Sequence, residues 1–350
     1  MPRFPIDSVS AKSFGPFADV SVSFSPALNV VLGDNGAGKS QLLKLLYAAC
    51  VPLVGNEEAS PKVQLSRDLA ARLVGVFRPD SLGRLTNRVQ GRSRAEVSLK
   101  FRDVGEPLAF SFASNSRSDV TVLSRPGKAL RDTPVFLPTR ELMSIYPGFV
   151  SLYNERQLEF DETWRDTADL LGRAPLRGPR GSIAAGVLEP IEGILEGRVQ
   201  EWNGRFVLAR PGVGNFEMHL VAEGLRKLAM VVRLVQSGVL LQGGYLFWDE
   251  PEANLNPRSL RQVAAMIVAL ARSGVQVFVA THSVFLLREL TLIRDELPPE
   301  DAEALMRVIG LIRGGTGVVA KSEQSVDDLP LAYLTALESE IAQSERMLER

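Results

Sequence analysis

The stretch Gly33-Asp34-Asn35-Gly36-Ala37-Gly38-Lys39-Ser40 reads GDNGAGKS and fits the P-loop pattern G-x-x-x-x-G-K-[ST]. Both flanks agree with it. Leu28-Asn29-Val30-Val31-Leu32 is an apolar, β-rich run, and Gln41-Leu42-Leu43-Lys44-Leu45-Leu46-Tyr47 has helical periodicity. A strand therefore feeds a glycine-rich turn that opens a helix. That geometry aims backbone N–H groups and the positive helix end at a phosphate chain. The reading assigns Gly33 through Gln41 to nucleotide binding, with Lys39 on the β/γ-phosphates and Ser40 on Mg²⁺.

The chain has 350 residues, enough for one large α/β domain with an insertion or for two modest domains. Its net charge is −1, so any nucleic-acid surface must be local. Cys50 is the only cysteine, which excludes an internal disulfide and fits a reducing cytoplasm. With His219 and His282 as the only histidines, a His/Cys zinc site is disfavoured. The N-terminal MPRFPIDSVSAK lacks the apolar core of a signal peptide, and the apolar run Leu228 to Val235 is interrupted by Arg233. A soluble cytoplasmic protein without a membrane partner is expected.

Residues 3 to 32 read as paired strands around the turn Phe14-Gly15-Pro16-Phe17, placed beside the adenine. Residues 62 to 94 read as a helix and then an arginine-rich stretch: Arg67, Arg72, Arg78, Arg84, Arg88, Arg92 and Arg94. These arginines form either a phosphate-backbone surface or a solvated, internally paired face. Residues 95 to 124 alternate as antiparallel strands, forming a β-lobe beside the P-loop layer. Val135-Phe136-Leu137 is a short buried strand with Thr139, Arg140 and Glu141 at its carboxyl end, where ligand contacts gather in an open α/β sheet. Residues 142 to 175 look helical. The Gly/Pro/Arg-rich run Arg173 to Gly186 is expected to be a mobile loop, and residues 198 to 220 to be short strands. A closing helix, Leu331 to Leu348, carries Leu334, Leu337, Ile341 and Leu348 on one stripe.

A second group of motifs completes the site. Tyr245-Leu246-Phe247-Trp248-Asp249-Glu250 is an apolar strand ending in two carboxylates, the Walker B layout. Asp249 is assigned to Mg²⁺, and Glu250 is assigned as the base that orients the attacking water. Val275 to Ala280 is another β-branched strand, followed by Thr281-His282-Ser283. His282 is assigned as the γ-phosphate sensor, because an imidazole there can donate a hydrogen bond. Between these motifs, Ala222-Glu223-Gly224 opens the helix of VAEGLRKLA, either an anion site or an ordinary helix start.

Together these motifs resemble an ATP-binding-cassette (ABC) ATPase head. More narrowly, they resemble the branch containing SMC, RecF and the overcoming-lysogenization-defect nucleases. FGPF…FSPALNVVLGDNGAGKS resembles the family's N-terminal strand pair and Walker A. LFWDEPEANLNP resembles Walker B with its D-loop, and VFVATHS the switch histidine. VFLPTRE lies at the Q-loop position and VAEGLRKLA at the signature position. Two departures stand out. Ala222 occupies the place of the signature serine, and Thr139-Arg140-Glu141 the place of the Q-loop glutamine.

The resemblance implies an α/β P-loop NTPase of ABC type, with a mixed central sheet, an antiparallel β-lobe and an inserted helical subdomain. It implies one domain over 1–350: an ATP-binding lobe 1–135, a helical and signature region 136–235, and a Walker B, His-loop and C-terminal region 236–350. It further implies ATP and Mg²⁺ as cofactors and a homodimer closed by ATP between one P-loop and the other copy's signature helix. Heads of this kind resemble ATPases of prokaryotic anti-phage or DNA-maintenance systems that act with a separately encoded nuclease or toxin, with DNA or RNA as a further possible partner. Rival expectations are an ATP-binding scaffold restraining a toxic partner, a DNA-repair head and a transporter nucleotide-binding subunit.

Overall fold

The elements follow the chain in an order set by its apolar pattern. The computed structural model describes residues 4–55, 60–87, 93–156, 158–241 and 243–349. Strands β1 (Ile6–Phe14), β2 (Phe17–Ser23) and β3 (Leu28–Leu32) lead into α1 (Lys39–Cys50) and α2 (Lys62–Phe77). Strands β4 (Arg94–Phe101), β5 (Leu108–Ala113), β6 (Thr121–Ser124) and β7 (Pro134–Leu137) follow, then helices α3 (Gly148–Glu155), α4 (Glu162–Leu171) and α5 (Pro179–Leu195). Next come β8 (Arg198–Trp202), β9 (Arg205–Arg210), β10 (Gly214–Glu217), α6 (Glu223–Gln236), β11 (Tyr245–Asp249), α7 (Pro257–Arg272) and β12 (Gln276–Thr281). The chain closes with α8 (Val284–Asp295), α9 (Pro299–Leu305), β13 (Met306–Arg313), β14 (Val318–Glu323) and α10 (Thr335–Leu348).

Among the described residues, eleven strands form one sheet in the order β6-β5-β4-β1-β2-β14-β13-β3-β12-β11-β7, and β10-β9-β8 form a small second sheet. The run β13-β3-β12-β11-β7 is parallel, and the β-lobe β4–β6 continues the same sheet antiparallel through β1. In the parallel run alternate residues enter different cores. Val30, Leu246 and Trp248 pack with α5 to α8, whereas Val31, Tyr245 and Phe247 pack with α1 and α2. Burial on both faces explains why β3, β11 and β12 read as unbroken apolar runs. The register pairs Asp249 with Ala280 and Thr281 with Leu32. The P-loop, the Walker B carboxylate and the residue before His282 therefore end at one edge of the sheet.

One expectation is corrected. The run Arg173 to Gly186 is not a loop throughout, because α5 begins at Pro179. Gly178 caps it at φ 68, Pro179 takes a first-turn position, and Ala184, Leu188, Ile191 and Leu195 form the buried stripe that holds it. The closing stripe is only half used: Leu334 is buried, whereas Ile341 and Leu348 are exposed.

The N-terminal strand pair is fastened to the parallel core by Gln276. Its buried amide donates to the Ile6 and Ser25 carbonyls, both at 2.8 Å, and accepts from the Ile6 amide at 2.8 Å. Gln276→Leu leaves the buried Ile6 amide and carbonyl unpaired, each costing roughly 1–3 kcal/mol, while the Ser25 carbonyl keeps the Asn29 amide at 2.9 Å. The expected loss is about 2 kcal/mol or more, read as a lower urea midpoint at an unchanged slope.

Candidate nucleotide site

The glycine-rich turn is built by close approach. Gly38 caps α1 at φ 91, and a Cβ there would lie 2.9 Å from the Pro16 ring. Lys39 is buried and curls back, its Nζ donating to the Gly33 carbonyl at 2.6 Å and the Asp34 carbonyl at 3.1 Å. Burial lowers the Lys39 pKa, against the raising effect of Glu250, Asp249, Glu252 and Asp34. Outside the turn lies a cavity of about 720 Å³, lined by P-loop residues including Asn35, Gly36, Lys39, Ser40 and Gln41. The Gly15-Pro16 turn, Phe77 and the segment Leu85 to Asn87 form its other walls, with Arg84, Arg313 and Glu250 at the same cavity.

Asp249, at the end of β11, is 6% exposed, and burial raises its pKa. The Ser40 hydroxyl hydrogen-bonds its carboxylate and lowers it, and neighbouring Glu250 raises it. Its Oδ1 is buried with no hydrogen-bond partner. A buried orphan carboxylate oxygen beside a hydroxyl suits a hard divalent cation.

Glu250 does not continue the strand. It lies in the left-handed region at φ 49, and its amide donates to the Ala280 carbonyl at 2.9 Å. Its Oε1 is 3.3 Å from His282 Nδ1, and His282 is half exposed. The carboxylate thus turns away from the sheet to line the P-loop cavity with the histidine beside it.

Several residues of this site were not assigned from sequence. Glu252, 9% exposed, accepts from Thr281 Oγ1 at 2.6 Å and from the His282 amide at 3.2 Å, tying the D-loop to the histidine turn. Its place two residues after Glu250 was the available signal. Lys227, fully buried on α6, donates to the Glu250 carbonyl at 2.7 Å. Burial pushes its pKa down to about 8, against the raising effect of Glu252, Glu250 and Asp249. A lysine on an apolar helical stripe was its signal. Thr335, at the start of α10, donates to Asp34 Oδ1 at 2.5 Å, and neither it nor Arg313 carries a local motif.

The signature-position residues sit apart from this cavity. Ala222 is exposed at the N-cap of α6 without a side-chain cap, Glu223 is partly buried and Gly224 is buried. Gly224 is required by the D-loop, since a Cβ there would lie 2.4 Å from the Asn254 carbonyl oxygen. At the Q-loop position, Glu141 is buried and pairs with Arg226 of α6 at 3.1 Å, while Arg140 is exposed.

The arginine-rich stretch does not form one face. Arg72 pairs with Glu162 at 2.9 Å, Arg78 donates to the Leu158 carbonyl, Arg94 donates to Ser111, and Arg84 joins the P-loop cavity. Arg88 and Arg92 lie outside the described residues.

The model of the family described as "AAA domain, putative AbiEii toxin, Type IV TA system" matches residues 28–288. The chain belongs to this family. Its fold is that of an ABC-type ATPase head of the SMC/RecF-like branch. An SMC head from Pyrococcus furiosus, solved with an extended coiled coil and the C-terminal domain of ScpA, aligns over 98% of this chain and 100% of its own, at 14% identity and TM-score 0.51. A second SMC head, bound to the C-terminal winged-helix domain of ScpA, aligns over 92% and 98%, also at 14% identity and TM-score 0.51. These likenesses concern the fold alone. A DNA replication and repair protein RecF from Idiomarina loihiensis is 40% identical over 42 residues, a match spanning only 12% of either chain. Among the described residues no helix is long and apolar enough to cross a membrane.

The contact at Gly224 is with backbone and cannot yield cheaply. Gly224→Ala is expected to lower stability by about 1–3 kcal/mol through overpacking, read by urea unfolding of the nucleotide-free protein. An unchanged midpoint would mean that α6 and the D-loop are not packed as described.

Proposed function

We propose that residues 1–350 act as one ABC-type ATPase domain that binds and hydrolyses ATP and pairs with a second copy around the nucleotide. The observation that carries this reading is the Glu250 carboxylate, turned by its left-handed backbone onto the cavity that Lys39 and Ser40 line. In this reading Gly33 to Gln41 cradle the phosphates, and Lys39 leaves the Gly33 and Asp34 carbonyls for the β/γ-phosphates. Ser40 and Asp249 would hold Mg²⁺, which when bound neutralises charge developing on the phosphoryl oxygens. Glu250 orients the attacking water, and His282 donates to the γ-phosphate.

Pairing is supported by the separation of the two half-sites. Ala222, Glu223 and Gly224 do not line their own chain's cavity, an arrangement that suits a start of α6 reached by the phosphates of another copy. Since Ala222 has no hydroxyl, backbone N–H groups at that helix start take the contact. A terminal phosphate shared between copies favours the closed pair, and its hydrolysis favours opening.

The biological reading is a cytoplasmic switch that gates a separately encoded effector, a nuclease or toxin, in anti-phage defence or DNA maintenance. Membership of a family linked to a type IV toxin–antitoxin system supports an effector link. The ScpA domains bound to the similar SMC heads support a partner protein, and the short likeness to a DNA replication and repair protein RecF supports a DNA-linked role. The lone buried Cys50 fits a reducing compartment.

The deciding experiment is Glu250→Gln with saturating Mg-ATP. The variant is expected to bind ATP, to hydrolyse it at least ~100-fold more slowly, and to accumulate as a dimer by light scattering. A variant that stays monomeric with nucleotide bound removes the pairing, and one that hydrolyses at the normal rate removes Glu250 as the water-orienting base.

A further inference from the structure

Lys227 is fully buried on α6, yet no carboxylate pairs with it within ion-pair distance among the described residues. Its hydrogen bond goes instead to a main-chain oxygen, that of Glu250, at 2.7 Å. An ammonium placed this way bears a desolvation cost that a Leu or Met on the same stripe would not. The atom it holds belongs to Glu250, whose backbone lies in the left-handed region at φ 49, which a glutamate resists more than Asn254 at φ 64 further along the D-loop. The peptide units around that residue are pinned by the Ala280 carbonyl at the amide, and at the carbonyl by Lys227 at 2.7 Å together with the local Ala253 amide at 3.2 Å; Lys227 is the donor that reaches it from another element. Two further contacts fix the first turns of the same helix: Gly224 against the Asn254 carbonyl and Arg226 against Glu141.

We infer that Lys227 is a positioning residue. It holds the Glu250 backbone in the conformation that aims the carboxylate at the cavity, and it ties that conformation to the seating of α6. The exposed start of α6, at Ala222, lies five residues, about one and a half helical turns, from Lys227. A phosphate engaged at that start by a second copy therefore bears on the water-orienting residue of this copy's own site. The link runs through one side chain and one hydrogen bond. This inference rests on the ATPase reading of the Glu250 site.

The test uses the full chain with Lys227→Met, Lys227→Arg, Glu250→Gln and the double variant K227M/E250Q. Binding of a fluorescent ATP analogue and single-turnover hydrolysis are measured for each. For Lys227→Met the expected Kd lies within about threefold of wild type, while hydrolysis falls at least about tenfold. Lys227→Arg, which keeps a cationic donor, recovers part of the rate. The double variant is no slower than Glu250→Gln alone, because both changes remove one function. If Lys227→Met does not fold, Lys227→Gln, which is neutral and shorter, is read the same way. Hydrolysis at the wild-type rate in the Met or Gln variant, equal losses in affinity and rate, or losses that multiply with Glu250→Gln would each overturn the inference. Wild type that does not turn over at all removes the ATPase reading and this inference with it. Active wild type with an unslowed Lys227→Met removes the inference alone.

Discussion

Strand β11 stops at Asp249, and the next residue turns left-handed, so two adjacent carboxylates face different tasks. Asp249 stays in the sheet edge, buried and bonded by Ser40, while Glu250 leaves the sheet and reaches the cavity. Because a non-glycine residue resists that backbone region, something around it must hold it there. The Ala280 carbonyl does so from β12 and the Lys227 ammonium from α6. Glu252 fastens the following turn to Thr281 and His282. The D-loop, the histidine turn and α6 are thus parts of one polar assembly centred on the left-handed Glu250.

A second polar assembly holds the P-loop helix. Lys44 of α1 pairs with Asp161 at 2.7 Å, and the Tyr47 hydroxyl donates to Asp166 at 2.6 Å. Arg72 of α2 pairs with Glu162 and Asp166. The two helices behind the glycine-rich turn are therefore bound to α4 by charge as well as by apolar packing. Burial raises the Tyr47 hydroxyl well above its ordinary range, and the neighbouring Asp166 pushes it the same way. It therefore serves as a neutral donor. Removing its acceptor would leave an unpaired group between the layers.

Much of the site was legible because its chemistry is carried by short local patterns. A strand, a glycine-rich turn and Lys39-Ser40 specify a phosphate cradle from adjacent residues, as a strand ending in Asp249-Glu250 specifies a Walker B edge. Lys227 and Glu252 escaped because their roles depend on which backbone atoms lie opposite them. The Arg173 to Gly186 run misled for a related reason. Glycine and proline lower local helix propensity, but a buried stripe at Ala184, Leu188, Ile191 and Leu195 overrides it through packing on α6 and α7. Arginines 67 to 94 read as a block along the chain, yet among the described residues Arg72 turns inward and Arg84 joins the P-loop cavity.

From sequence alone came the glycine-rich turn between strand and helix, the two carboxylates at a strand end, the histidine past the next strand, the antiparallel lobe and the α/β class. Each follows from residue type and spacing within a dozen or so positions. Tertiary structure alone decided that the late strand β13 enters beside β3 and that Arg313 reaches the cavity. It also decided that α10 touches Asp34 and that a lysine on the signature helix holds the Glu250 carbonyl. Those pairings join residues far apart in the chain. They are selected by the burial and hydrogen bonding of the assembled sheet, for which no local pattern stands in.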